Sequence, residues 1–154
     1  LNFDNGFQFS EKMYENELCY RGKYKFSKSY LGANHVPFID GGESGEEFEC
    51  AKALDRNKYV KFWIKNVARN LKSFWLPTST DKFYPDFVAM LNDGRILVVE
   101  YKGKHLINSA DTKEKLAIGK LWESKSAGKG LFLMAEKVKD GLNVVEQINA
   151  LIER

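Results

Sequence analysis

The sequence has little of what staples or anchors a chain from outside its own core. Its 154 residues include only two cysteines, Cys19 and Cys50, with no CxxC spacing. That argues against a disulfide framework and makes the reducing cytoplasm the simplest setting. The two histidines, His35 and His105, stand far apart and away from the cysteines, which argues against a zinc site. No apolar run approaches the roughly 18 residues that span a bilayer. The opening Leu1-Asn2-Phe3-Asp4 has neither a basic n-region nor an apolar h-region, so it does not read as a signal peptide. It also lacks an initiating Met, and the chain reads as a piece of something longer. No GxxxxGK[ST] loop is present, so a nucleotide-driven motor belonging to this protein would lie outside these residues. There is no internal repeat and no low-complexity segment.

What is there fits one globular domain. Hydrophobic residues make up 44% and charged residues 29%, the balance of a chain that buries a core. The net charge of +3 is mildly basic and compatible with a polyanionic partner. Aromatic residues reach 14%, much of it clustered at 3–9, 14–30 and 74–87. Residues 17–26 read as strand, Gly-containing turn and strand, and Asp40-Gly41-Gly42 marks a loop. Residues 1–42 are therefore expected to form a β-rich accessory segment, with the main domain over 43–154. The spacing of Phe48, Ala51 and Leu54 predicts a helix over 45–56, and Ser44 followed by Glu47 has capping-box spacing. Residues 59–64 read as a strand, and 74–76 as a second one closed by Pro77. Further on, the pattern predicts a helix over 110–125 burying Leu116, Ala117, Leu121 and Trp122, a strand over 130–134 and a closing helix over 144–152. This order implies an α/β fold with a central sheet covered by helices.

The most informative stretch is a pair of apolar runs, 83–91 and 95–102, flanking Asn92-Asp93-Gly94. On a strand Glu100 and Lys102 project from one face. Whether Asp86 joins them depends on the turn. A two-residue loop pairs Asn92 with Arg95 and leaves Asp86 opposite Tyr101, on the wrong face. A three-residue loop with Gly94 left-handed pairs Leu91 with Arg95 and sets Asp86 against Glu100. Asn-Asp-Gly suits the second, which is the register expected here. It puts Val88, Met90, Ile96 and Val98 on the site face and Phe87, Ala89, Leu91, Leu97, Val99 and Tyr101 on the other. Two carboxylates and an ammonium at one point suit metal-assisted phosphodiester hydrolysis, because Mg²⁺ takes one or two protein carboxylates and leaves room for water and phosphate. The plainer alternative is a strand end whose charges pair with neighbours in solvent.

Pro85-Asp86, the apolar hairpin and Glu100-Tyr101-Lys102 resemble the signature of the PD-(D/E)XK nuclease superfamily. The longer string Phe74-Trp75-Leu76-Pro77-Thr78, Phe83-Tyr84-Pro85-Asp86-Phe87-Val88, Asp93-Gly94-Arg95 and Val99-Glu100-Tyr101-Lys102-Gly103 is similar to the C-terminal endonuclease region of type III restriction-enzyme helicase subunits and their DEAD/DEAH-like relatives. The resemblance covers about 45–134. It implies a restriction-endonuclease-like mixed sheet and a DNA endonuclease using Mg²⁺, with Mn²⁺ as a substitute. It also implies a helicase motor in the same full-length chain and a possible modification or specificity subunit. It makes Asp86, Glu100 and the main-chain carbonyl of Tyr101 the metal ligands, and gives Lys102 the attacking water and the phosphate charge. The family often adds an acidic residue from the first helix. Glu46, Glu47 and Glu49 all qualify; Glu47 shares the stripe of Ala51 and Leu54 and is preferred, with a purely capping role as its alternative.

Lys104, in Gly103-Lys104-His105, and the pair Lys113 and Lys120, seven apart on one helix face, are candidate DNA contacts, against the commoner role of solvated lysines. Residues 61–66 interleave basic and aromatic side chains, which could stack on nucleic acid or simply form an alternating strand. The alternative from another class is a nuclease-fold domain that binds DNA or a partner subunit without cutting.

Overall fold

The computed structural model describes residues 6–154; the aromatic cluster at 3–9 therefore lies partly outside the described residues, as does the side chain of His105. Its centre is a four-stranded sheet in the order β1 (Val60–Lys65), β4 (Phe87–Leu91), β5 (Ile96–Tyr101), β6 (Gly130–Ala135). The first two pairings are antiparallel and the third is parallel. A parallel neighbour needs a crossover, and α2 (Ala110–Lys125) supplies it. Helices α1 (Glu46–Asp55) and α3 (Val144–Glu153) cover the opposite face. Two short pairs flank the sheet: β2 (Leu76–Pro77) with β3 (Lys82–Phe83), and β7 (Val138–Lys139) with β8 (Leu142–Asn143). The protein is thus mixed α/β, with a mixed central sheet flanked by helices.

The β4–β5 hairpin takes the three-residue turn. Gly94 is left-handed at φ 91°; its N–H donates to the Leu91 carbonyl at 3.0 Å, and the Leu91 N–H donates to the Arg95 carbonyl at 2.9 Å. Phe87 consequently pairs with Val99, Val88 with Val98 and Ala89 with Leu97. Phe87, Ala89, Leu91, Leu97 and Val99 go into the core under α1 and α3, while Val88 and Val98 go into the core under α2. Both sheet faces are buried, so the alternation shows in which core a residue enters rather than in polarity.

The strand expected over 74–76 and closed by Pro77 is instead the short Leu76–Pro77, with Pro77 itself paired to Lys82, and three further local expectations fail for tertiary reasons. No hairpin forms over 17–26; outside the named strands there are isolated bridges, Cys19 to Pro37 and Ser29 to Trp63. Within 17–26 the Tyr20 N–H donates to the Val36 carbonyl and the Lys23 N–H to the Glu43 carboxylate, and just beyond it the N–H groups of Ser27 and Lys28 donate to the Asp55 carboxylate. Tyr20, Tyr24 and Phe26 turn their rings onto Phe48, while Arg21, Lys23 and Lys25 stay exposed. The 6–42 segment supplies Met13 and Tyr14 to the α2-side core and Phe26, Val36 and Ile39 to the other. The Ser44–Glu47 capping box does not form either: Ser44 ends a 3-10 turn, and Gly45 is the N-cap with no side-chain bond. Finally, the buried face of α2 runs through Thr112, Leu116, Gly119 and Trp122, while Ala117 is exposed and Leu121 only half-buried.

Gly119 explains that rotation. A Cβ there would sit 2.4 Å from the Phe132 ring, and Phe132 is fully buried and unable to yield. Gly119→Ala should therefore cost about 1–3 kcal/mol despite the better helix propensity of alanine. A thermal midpoint unchanged from the wild type would show that the helix does not need this close approach. The free edge of β6 is closed by side chains: the Phe132 N–H donates to Glu123 Oε1 at 2.8 Å and its carbonyl accepts from Lys120 Nζ at 2.8 Å. Capping an edge in this way removes a template for strand addition.

Candidate active site

The site lies where β4 begins and β5 ends. Pro85 delivers the chain to Asp86, one residue ahead of β4, so the Phe87–Val99 pairing carries Asp86 to Glu100. Asp86 is pinned from both sides. Its Oδ2 accepts the Tyr101 N–H at 2.8 Å, and its carbonyl accepts the Asn66 N–H at 2.8 Å. The buried Asn66 amide donates to the carbonyls of Phe74 and Pro85, at 2.8 and 2.9 Å, and its oxygen accepts from the Phe74 N–H at 2.9 Å. Asn66 thus clamps the Pro-Asp step to the end of β1. In the sequence it follows a strand and carries no mark of this role.

Glu100 is 6% exposed. Its Oε2 lies 3.1 Å from Lys102 Nζ, while Oε1 is buried without a hydrogen-bond partner. Burial, followed by the charge of Asp86, pushes Glu100 up to about 8 against the opposing pull of Lys102. Of the three first-turn acids on α1, Glu47 faces the sheet. Glu46 accepts from the Tyr101 hydroxyl and Glu49 pairs with Lys52 on the surface at 3.0 Å. Burial and then the Asp86 charge raise Glu47 to about 7. Freed from any capping duty, its Oε2 lies 3.3 Å from Lys65 Nζ. That contact is ionic, because it lacks hydrogen-bond geometry.

Lys65 is the residue that sequence reasoning missed. As the last residue of β1 it reaches Asp86 Oδ1 at 3.5 Å as well as Glu47. Burial works to lower it, but Asp86 and Glu47 overturn this and hold it above its ordinary value. The 61–66 stretch is therefore an alternating strand, with Trp63 and Ile64 fully buried in opposite cores, and its closing lysine belongs to the acidic cluster. The pairing of Lys65 with Phe87, next to Asp86, is the signal that could have found it, but a strand pairing between residues so far apart is not visible in one sequence.

The candidate phosphate contacts separate. Lys104, in a 3-10 turn after β5, and Lys113 are exposed. Lys104 lines a depression of about 560 Å³ with Glu46, Ile107 and Glu136. Lys120 differs: its ammonium is spent on the Phe132 carbonyl and lies 3.8 Å from Glu123, closing the sheet edge. The shared face of Lys113 and Lys120 thus holds one solvated lysine and one structural one. A second depression, of about 360 Å³, is bounded by Lys65, Asn66, Tyr84 and Asp86 on the sheet side and by Leu18, Pro37 and Phe38 on the other.

Among the described residues, no three His, Cys, Asp or Glu side chains converge closely enough to hold a metal by themselves. The donor set nevertheless fits a hard divalent ion. It offers two opposed carboxylates, one with an orphaned buried oxygen, and the Tyr101 carbonyl, which leaves the strand on the same side as the Tyr101 N–H. Mg²⁺ asks for no more protein ligands than that. No helix among the described residues is long and apolar enough to cross a membrane. Comparison with family models, curated proteins and solved structures finds no match to this chain.

Proposed function

We propose that this domain is a Mg²⁺-dependent DNA endonuclease of the restriction-endonuclease-like, PD-(D/E)XK type, the cleavage module of a type III restriction-like helicase and nuclease subunit. The observation that carries the reading is the opposition of Asp86 and Glu100, with Glu100 Oε1 buried and unpartnered and Lys102 at 3.1 Å. A buried acceptor with no donor is costly and is satisfied by a cation. A divalent ion held by Asp86, Glu100 and the Tyr101 carbonyl would supply Lewis-acid activation of water and neutralise charge on the phosphate. Lys102, anchored through its N–H to the Ala135 carbonyl at 2.9 Å, can orient the attacking water and stabilise charge building on the phosphate oxygens. Lys104 and Lys113 are exposed and available to the flanking phosphates. A motor in the same full-length chain and a modification or specificity subunit are the partners this reading brings.

The competing reading is a DNA- or partner-binding domain that does not cut, favoured by the lack, among the described residues, of three acidic, His or Cys side chains grouped to hold a metal by themselves. Cleavage of supercoiled plasmid with Mg²⁺ or Mn²⁺ separates the two. Metal-dependent nicking by the wild type, lost in Asp86→Ala and in Lys102→Ala, is the expected result. Wild-type protein that retains DNA but nicks it with neither metal would sink the enzyme in favour of the silent domain.

A further inference from the structure

We propose that Lys65 is a built-in cation standing where a second metal ion would otherwise sit, so that the centre binds one divalent ion rather than two. The inference rests on the metal centre proposed above. Two-metal phosphodiesterases place two cations about 3.5–4 Å apart, sharing a carboxylate between them. Here Asp86 is the shared carboxylate: Oδ2 faces the Tyr101 N–H on the side of Glu100, and Oδ1 faces the Lys65 ammonium at 3.5 Å. On the far side of that ammonium is Glu47, at 3.3 Å. The helix acid that could have been a ligand of a second ion is therefore the counter-ion of a lysine.

The lysine is no surface visitor. Its side chain is only 11% exposed and lies over the Phe87 ring, 5.4 Å from the centroid, where an ammonium is attracted by the ring face. Burying it costs several kcal/mol unless opposite charges surround it, and Glu47 and Asp86 do so. Charge balance points the same way. Two ammonium groups, Lys65 and Lys102, already stand among the carboxyl groups of Glu47, Asp86 and Glu100. One divalent ion fits on the Glu100 side of Asp86; a second, on the other side, would pile positive charge onto a buried lysine.

The test is Mn²⁺ stoichiometry by isothermal titration, with spin coupling between Mn²⁺ ions read by frozen-solution electron paramagnetic resonance. It compares the wild type with Lys65→Met, Lys65→Arg and Asp86→Ala. Expected are one uncoupled Mn²⁺ in the wild type and in Lys65→Arg, a coupled pair in Lys65→Met, and none in Asp86→Ala. Thermal midpoints give a second readout: Mn²⁺ should raise the midpoint of Lys65→Met more than that of the wild type. A coupled pair in the wild type, or a folded Lys65→Met that still holds one ion, overturns the inference while leaving the metal centre standing. If Lys65→Met does not fold, the wild type and Lys65→Arg decide, two ions in either counting against the inference. No Mn²⁺ in the wild type at millimolar metal refutes the centre itself, and the inference with it.

Discussion

Glu100→Gln should make the metal-free protein more stable above pH 8 and at the same time remove a hundred- to a thousandfold, roughly, of its metal-dependent cleavage. The two effects have one cause. Glu100 is buried beside Asp86, and its carboxyl is pushed up to about 8 from the ordinary 4.5 of an unfolded chain. Between those values the native state holds a proton that the unfolded state has given up. Unfolding free energy therefore falls as pH rises through this window, with each pKa unit worth about 1.4 kcal/mol. Glutamine keeps the shape and carries no proton to lose. Wild type and variant should match near pH 4.5 and diverge upward, the variant gaining at least one such step by pH 8. Saturating Mg²⁺ should close the gap by stabilising only the wild type, by about 2.7 kcal/mol at a hundredfold excess over Kd. Urea unfolding at several pH values, with and without Mg²⁺, measures it. Parallel curves for the two proteins would mean that Glu100 is not held in a strained, ion-seeking state.

Asp55→Ala should be the most damaging single change outside the site, costing about 3–5 kcal/mol. Asp55 is 2% exposed, and its carboxylate accepts from the N–H groups of Ser27 and Lys28 and from Trp63 Nε1, at distances from 2.7 to 3.1 Å. Alanine leaves all three donors without an acceptor inside the protein. Those bonds join the 6–42 segment to α1 and β1, and that segment carries Leu18, Pro37 and Phe38, which form the wall facing Lys65 and Asp86. Cleavage should fall along with stability. Asp55→Asn, which keeps one acceptor oxygen, should lose less. A loss below about 1 kcal/mol in the alanine variant would show that water or a local shift satisfies the donors.

The main elements were legible where local chemistry and period agree. α2, β6 and α3 fall where helical spacing and a short apolar run put them. The β4–β5 register was legible because Asn92-Asp93-Gly94 admits a left-handed glycine, and one residue of register decides which side chains share a face. The placement of Asp86 against Glu100 was therefore already written in the turn. Glu47 was legible as the first-turn acid in line with Ala51 and Leu54.

Only the tertiary structure decided the rest. The 17–26 stretch has the composition of a hairpin, but the Lys23 N–H is taken by Glu43, the N–H groups of Ser27 and Lys28 just beyond it by Asp55, and its rings by Phe48, so long-range partners overrule local pattern. The buried face of α2 turns because Gly119 must rest on Phe132. Lys120 looks like any exposed helix lysine until the open edge of β6 claims it. Lys65 and Asn66 join the site through the pairing of β1 with β4, a contact between distant parts of the chain. Turn chemistry and helical period are properties of neighbouring residues, so the sequence by itself determined them. Counter-ions, clamps and edge caps are properties of which surfaces meet, and only the packed fold could choose them.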